Sequence, residues 1–168
     1  MIVSKLMGGL GNQMFQYAAA KSLAMRKNTT VKVDDSFLLK KSEGQYTQRN
    51  YELNAFKMPP ECLSTQEKEN ISSQFNVRWK RLLHRFLKLP GTYQYKQESS
   101  PLFQPDFFNC SENVYLSGFW QSEKYFKPIE DTIREELSVK RPLTDVSRRI
   151  ADEMAATIVR TACTLDCP

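Results

Sequence analysis

The chain opens on a short apolar run, Ile2-Val3-Ser4-Lys5-Leu6-Met7, that meets Gly8-Gly9-Leu10-Gly11-Asn12-Gln13 and continues into Met14-Phe15-Gln16-Tyr17-Ala18-Ala19-Ala20. That order reads as strand, tight turn, helix: the first βα unit of a Rossmann-like α/β domain. The glycine cluster allows positive φ and lets a ligand approach the backbone closely. Free N–H groups at the start of a helix favour phosphate or carboxylate. The dinucleotide pattern G-x-G-x-x-G begins with Gly9 and Gly11, but Met14 stands where its third glycine belongs, which counts against NAD. No Gly-Lys-Ser/Thr follows, so the turn is no Walker loop. Asn12 and Gln13 are poor helix formers and good hydrogen-bond partners for a sugar or base. Gly9, Gly11, Asn12 and Gln13 are therefore candidate ligand contacts. The alternative is a glycine turn that only connects two elements.

Further along, the spacing predicts a first helix over about Asn12 to Met25, with Phe15, Ala18, Ala19 and Ser22 as its packed stripe. Thr30 to Asp34 alternates and predicts a second strand. Asp34-Asp35 reads as an N-cap for Ser36-Phe37-Leu38-Leu39 in preference to a ribose-binding acid. Residues 40–50 read as loop. Tyr51-Glu52-Leu53 with Phe56 returns the chain to the core, and Ser64 to Ser72 suits a short helix. Phe75, Trp79, Leu82, Leu83, Phe86 and Leu87 share one side of a helix over 75–88, opposite Arg78, Lys80, Arg81, His84, Arg85 and Lys88. A solvated basic face is the favoured reading of that helix. Peripheral contact with an anionic membrane surface is the alternative.

Gly91 to Asn109 predicts an irregular excursion rich in aromatics. Asn113 to Gly118 predicts a buried strand, with Phe119-Trp120-Gln121 leaving its C-terminal end, where open α/β sheets hold ligands. Trp120 is the candidate sugar-stacking ring, Gln121 a candidate hydroxyl partner and Glu123 a third candidate contact. Core aromatics followed by a Ser122 helix cap are the alternative. Pro128 suits a helix start, with Ile129, Ile133 and Leu137 as a packing stripe. Val146, Ile150 and Met154 stripe a last helix capped near Asp145.

Lys plus Arg is 24 against 19 Asp plus Glu, a net charge of +5. This mild excess suits phosphorylated ligands or an anionic surface and does not call for nucleic acid. No secretory signal and no run of about 18 apolar residues is present. The four cysteines, Cys62, Cys110, Cys163 and Cys167, suggest reduced thiols and a cytoplasmic setting, peripheral at the inner membrane face if the basic helix docks there. The single His84 has no ligand spacing around it, so no metal is expected.

Two stretches, GGLGNQMFQYAAAKSLA and Tyr115-Leu116-Ser117-Gly118-Phe119-Trp120-Gln121-Ser122-Glu123-Lys124-Tyr125-Phe126, resemble the motifs of bacterial α-1,2-fucosyltransferases. Tyr51-Glu52-Leu53 with Phe56 is a weaker third match. The resemblance runs from Met1 to about Arg149. It implies an inverting, metal-independent enzyme of GT-B architecture that moves L-fucose from GDP-fucose to the 2-hydroxyl of a galactoside acceptor. Such chemistry must stabilise a departing diphosphate and deprotonate an acceptor hydroxyl. Asp34, Glu52 and Glu123 remain open as the base. The family's H-x-R-R-G-D-Y nucleotide signature does not occur in this chain. The expectation is a Rossmann-like, acceptor-side domain over residues 1–155 with the second domain missing, and a divergent tail over 156–168. That tail resembles the opening of a cysteine-rich segment in molybdopterin-dependent oxidoreductases, and a truncation or gene junction would explain it. A half-enzyme of this kind would bind sugar with little or no transfer. A noncatalytic carbohydrate-binding module and a nicotinamide-dependent oxidoreductase are the other function classes.

Overall fold

The computed structural model describes residues 1–40, 49–75, 92–142 and 144–154. Apart from Phe75, the basic helix expected over 75–88 lies outside them, as does the tail over 156–168. The chain divides into two units, Met1–Ser138 and Val139–Pro168.

The first unit is built on a four-stranded sheet in the order β2-β1-β4-β3, with every pair parallel. The strands are β1 (Ile2–Lys5), β2 (Val31–Asp34), β3 (Gln94–Gln97) and β4 (Val114–Ser117). Parallel neighbours need crossovers, and the first is the helix α1 (Leu10–Arg26). Its end is set by Asn28, which takes φ +50 and lets the Thr29 N–H reach Ala24 O at 3.0 Å. Asn tolerates this left-handed cap better than most residues. Registers Ile2↔Val31, Ile2↔Val114 and Gln94↔Val114 tie the strands together. Chain order therefore reverses direction between β1 and β4, the kind of switch point where open α/β sheets bind ligands.

Side chains alternate across the strands and fill both faces. On one face Ile2, Val114 and Leu116 pack under Ala19, Ala20, Leu23 and Ala24 of α1, with Phe107, Trp120 and Tyr125. On the other, Val3 and Tyr115 meet Leu63 and Ile71, the latter from α3 (Thr65–Phe75). A third cluster, Leu6, Tyr17, Val33, Leu38 of the short helix α2 (Ser36–Leu39), Leu53 and Phe56, closes the β2 side. Leu53 and Phe56 thus return the chain to the core as expected. Ala18, Ala19 and Ser22 are buried, while Phe15 is only half-buried and packs edge-on against Phe126.

Two local readings need correction, while the short helix expected over Ser64 to Ser72 is found as α3. The excursion over 91–109 contains β3, an edge strand of Gln94, Tyr95, Lys96 and Gln97 whose polarity hides it in the sequence. Backbone pairing with β4, not apolar alternation, makes it a strand. The short helix starts at Thr65 because Ser64 and Glu67 form a reciprocal capping box: Glu67 N–H donates to Ser64 Oγ at 3.3 Å, and Ser64 N–H donates to Glu67 Oε2 at 2.8 Å. The helix after Pro128 is preceded by a 3₁₀ turn, Lys127–Ile129, and is itself short: α4 (Glu130–Glu136). It is clasped to α1 by buried Glu136, which accepts from Tyr17 Oη at 2.5 Å and Lys21 Nζ at 2.6 Å.

In the second unit, residues 145–154 are helical. The cap is Thr144, next to Asp145 as expected: its Oγ1 accepts the Ser147 N–H at 3.2 Å. The expected stripe of Val146, Ile150 and Met154 is at least half exposed at each position.

Candidate functional site

The β1–α1 turn is held by buried amides. Gln16, fully buried, accepts the Met7 N–H at 2.9 Å and donates to Met7 O at 3.2 Å, clamping the strand end on both sides. Gln13, equally buried, donates to Gly8 O at 3.0 Å and Asn50 O at 2.8 Å, and accepts the Glu52 N–H at 3.0 Å. Its amide therefore braces the turn against residues 50–52 and faces inward. Gly8 is the glycine the turn requires: φ is +76, and a Cβ there would lie 2.3 Å from Asn12 Nδ2. Gly9 caps α1 with extended backbone, and Arg49 Nε lies 3.9 Å from where its side chain would begin. Gly11 is exposed, and among the described residues nothing beyond its own stretch of helix comes within 4 Å of its Cβ position. The candidate glycines thus leave their backbone open at the helix start, beside a guanidinium that sequence reasoning passed over.

The second wall comes from the end of β4. Gly118 follows Ser117, and Trp120 takes φ +52, a conformation that costs a bulky residue about 1–2 kcal/mol. Two interactions hold it there. The indole is fully buried against Phe107 and Tyr125, with ring centroids 4.9 and 5.7 Å away. The Glu98 carboxylate accepts the Phe119 N–H at 2.7 Å and the Trp120 N–H at 3.0 Å. Trp120 is therefore core in this structure, and the ring that reaches solvent is Phe119, 39% exposed. The left-handed residue breaks the strand's alternation and exchanges the two aromatics.

Beyond that turn, Gln121 Nε2 donates to Asn12 Oδ1 at 2.6 Å. This bond links side chains of the two sequence motifs, 109 residues apart, across the C-terminal ends of β1 and β4. An open depression lined by Glu98, Ser99, Ser100, Pro101, Phe119 and Gln121 adjoins it. Glu123 is exposed on the 3₁₀ turn Glu123–Tyr125, whose cap is Ser122 Oγ, accepting the Lys124 N–H at 3.4 Å. The lip thus offers two side-chain amides, two serines and an exposed aromatic face. That set suits a neutral polyhydroxylated ligand: amides and hydroxyls pair with sugar hydroxyls, and a ring covers the C–H face of a pyranose.

The carboxylates divide by environment. Asp34 is 8% exposed and fully engaged, accepting the Ser36 N–H at 2.9 Å and Tyr115 Oη at 2.7 Å. Burial and that bond push the Tyr115 hydroxyl far above its ordinary range. Asp34 is therefore a capping and bracing residue. Burial raises the thiol pKa of both Cys62 and Cys110, which form no disulfide among the described residues. Among the described residues, no three His, Cys, Asp or Glu side chains come together to hold a metal. None of the described helices is long and apolar enough to cross a membrane.

The chain is 28% identical over 134 residues to an alpha-1,2-colitosyltransferase of Escherichia coli, covering 80% of this chain and 43% of that protein. It is 46% identical over 81 residues to the O-antigen biosynthesis glycosyltransferase WbnK of Escherichia coli, covering 47% of this chain and 26% of that protein. The chain thus spans less than half the length of these curated relatives. No family model matches it, and no solved structure matches it. The likeness relates the chain to glycosyltransferases, one of them of O-antigen synthesis.

Proposed function

We propose that this chain is the acceptor-side, Rossmann-like part of a GT-B glycosyltransferase that adds a 6-deoxy-L-hexose to the 2-hydroxyl of a galactoside during surface-glycan synthesis. GDP-fucose is the donor the sequence motifs favour. Colitose, which is fucose without its 3-hydroxyl, is the second reading, favoured by the name of one relative. The observation that carries the proposal is the 2.6 Å bond from Gln121 to Asn12, because it assembles both motifs into one polar lip at the sheet's switch point.

In this reading the acceptor sugar lies across the lip. Asn12 and Gln121 hold its hydroxyls and Phe119 covers its apolar face. The N-terminus of α1 and Arg49 face the donor's diphosphate, whose developing charge they stabilise without a metal. Gln13, Gln16 and Gly8 act on the lip's shape. Trp120 sets the turn from behind. Of the three carboxylates open as the general base, Glu52 and Glu123 are left, since both oxygens of buried Asp34 are engaged in bracing the fold.

The chain carries no H-x-R-R-G-D-Y stretch, so Arg49 would act on the diphosphate without the two arginines of that signature. The expected outcome with purified protein, a labelled β-galactoside and either GDP-fucose or GDP-colitose is acceptor binding with no measurable transfer. Steady turnover with either donor would refute the half-enzyme part of the proposal. Absence of galactoside binding by the folded chain would refute the acceptor assignment.

A further inference from the structure

The Phe119 and Trp120 N–H groups point to one spot at the C-terminal end of β4, and the Glu98 carboxylate fills it. Successive N–H groups around a left-handed residue form a concavity that binds anions. Gly118 is what admits the carboxylate: a Cβ there would lie 2.4 Å from Glu98 Cβ and 2.9 Å from Oε2. The same point is 3.0 Å from Trp120 Cε2, the ring atom bonded to Nε1. That indole N–H is buried and has no hydrogen-bond partner among the described residues. The same turn thus carries both a buried, unused indole N–H and a concavity already charged with a carboxylate.

Glu98 is an unusual choice for mere bracing. It sits on the segment that follows edge strand β3, and it also lines the open depression with Ser99, Ser100, Phe119 and Gln121. A half-buried side chain there can rotate toward solvent while its backbone stays paired through the Glu98 N–H to Ser117 O at 2.9 Å. We propose that the Phe119–Trp120 turn is an exchangeable oxyanion site: Glu98 occupies it in the free chain, and a ligand oxyanion takes its place. The shared chemistry is a phosphate or carboxylate oxygen accepting two backbone N–H bonds beside the sugar lip. A diphosphate group and the carboxylate of an acidic sugar are its two sources. The site stands on geometry and does not depend on which sugar is transferred.

Glu98→Ala empties the concavity, and amide NMR of the full chain reads it. The Phe119 and Trp120 backbone amides and the Trp120 indole N–H should shift on titration with sodium pyrophosphate or sodium glucuronate. Half-saturation should come at least ~10-fold lower in concentration than in the parent chain, because the internal competitor is gone. A stronger response to pyrophosphate identifies a phosphate source, and a stronger response to glucuronate an acidic sugar. No response in the folded variant, or one equal to that of the parent, overturns the proposal. Glu98→Gln, which still accepts one of the two N–H groups, is the second variant. Collapse of the turn in both variants would make Glu98 a structural latch and overturn it equally.

Discussion

Gln13 and Asn12 are neighbours with opposite duties, and the difference is a matter of burial. Gln13 satisfies Gly8 O, Asn50 O and the Glu52 N–H from inside the fold. Gln13→Ala strands those groups, so we expect a loss of about 3 kcal/mol of stability. For a domain of this size that is a fall in Tm of about 6–12 °C, measurable by thermal denaturation. Asn12→Ala should shift Tm little, since its partner Gln121 is exposed, yet weaken galactoside binding about tenfold. Gly8→Ala combines both effects: a positive φ of +76 and a clash with Asn12 Nδ2 cost about 1–2 kcal/mol and displace the lip amide. At this scale the sequence was legible in part. An amide pair at a helix start announced a polar site, but nothing in the residue types told which amide faced inward. The aromatics behaved alike. Phe119 and Trp120 are adjacent, and only the left-handed backbone at Trp120 decides which one reaches solvent.

Elements were easier to read where packing alone creates them. β1, α1, β2 and β4 carry apolar patterns that the core demands, and they fall within a few residues of where the periodicity places them. β3 has no such pattern, because an edge strand is held by backbone pairing with β4 and shows its side chains to solvent. The start of α3 was written in Ser64-Thr65-Gln66-Glu67, a capping pattern open to recognition from sequence. That box is tied to the sheet by Lys32, whose Nζ lies 2.9 Å from Glu67 Oε1. The bond from Lys32, followed by that from the Ser64 backbone, holds the Glu67 carboxyl at a pKa of about 2, below its ordinary 4.5. A depressed carboxylate stabilises the fold above its unfolded pKa and ceases to as pH falls through the folded value. The Glu67 contribution should therefore be whole above about pH 5 and fade toward about pH 2. Glu67→Gln should flatten that part of the Tm-against-pH curve, and an unchanged curve would deny the latch. The α1–α4 clasp makes a second test. Tyr17→Phe removes a buried hydrogen bond to the Glu136 carboxylate and should cost about 2 kcal/mol.

At the scale of the whole molecule, the parallel sheet brings residues from distant parts of the chain to one edge. Asn12, Glu98 and Gln121 meet there because β1 and β4 are neighbours and β3 lies just beyond. A second depression, lined by Met1, Glu67, Asn70, Ile71, Ser73, Gln74 and Tyr93, lies near the start of β1. The proposed sugar site lies at the first edge and not at the second. Amide NMR during titration with methyl β-D-galactopyranoside tests that assignment most directly. The prediction is progressive movement of the Asn12 and Gln121 side-chain amides and the Phe119 backbone, lost in Asn12→Ala. Saturating galactoside that leaves these signals in place, or moves those around Glu67 and Tyr93 instead, would contradict the account.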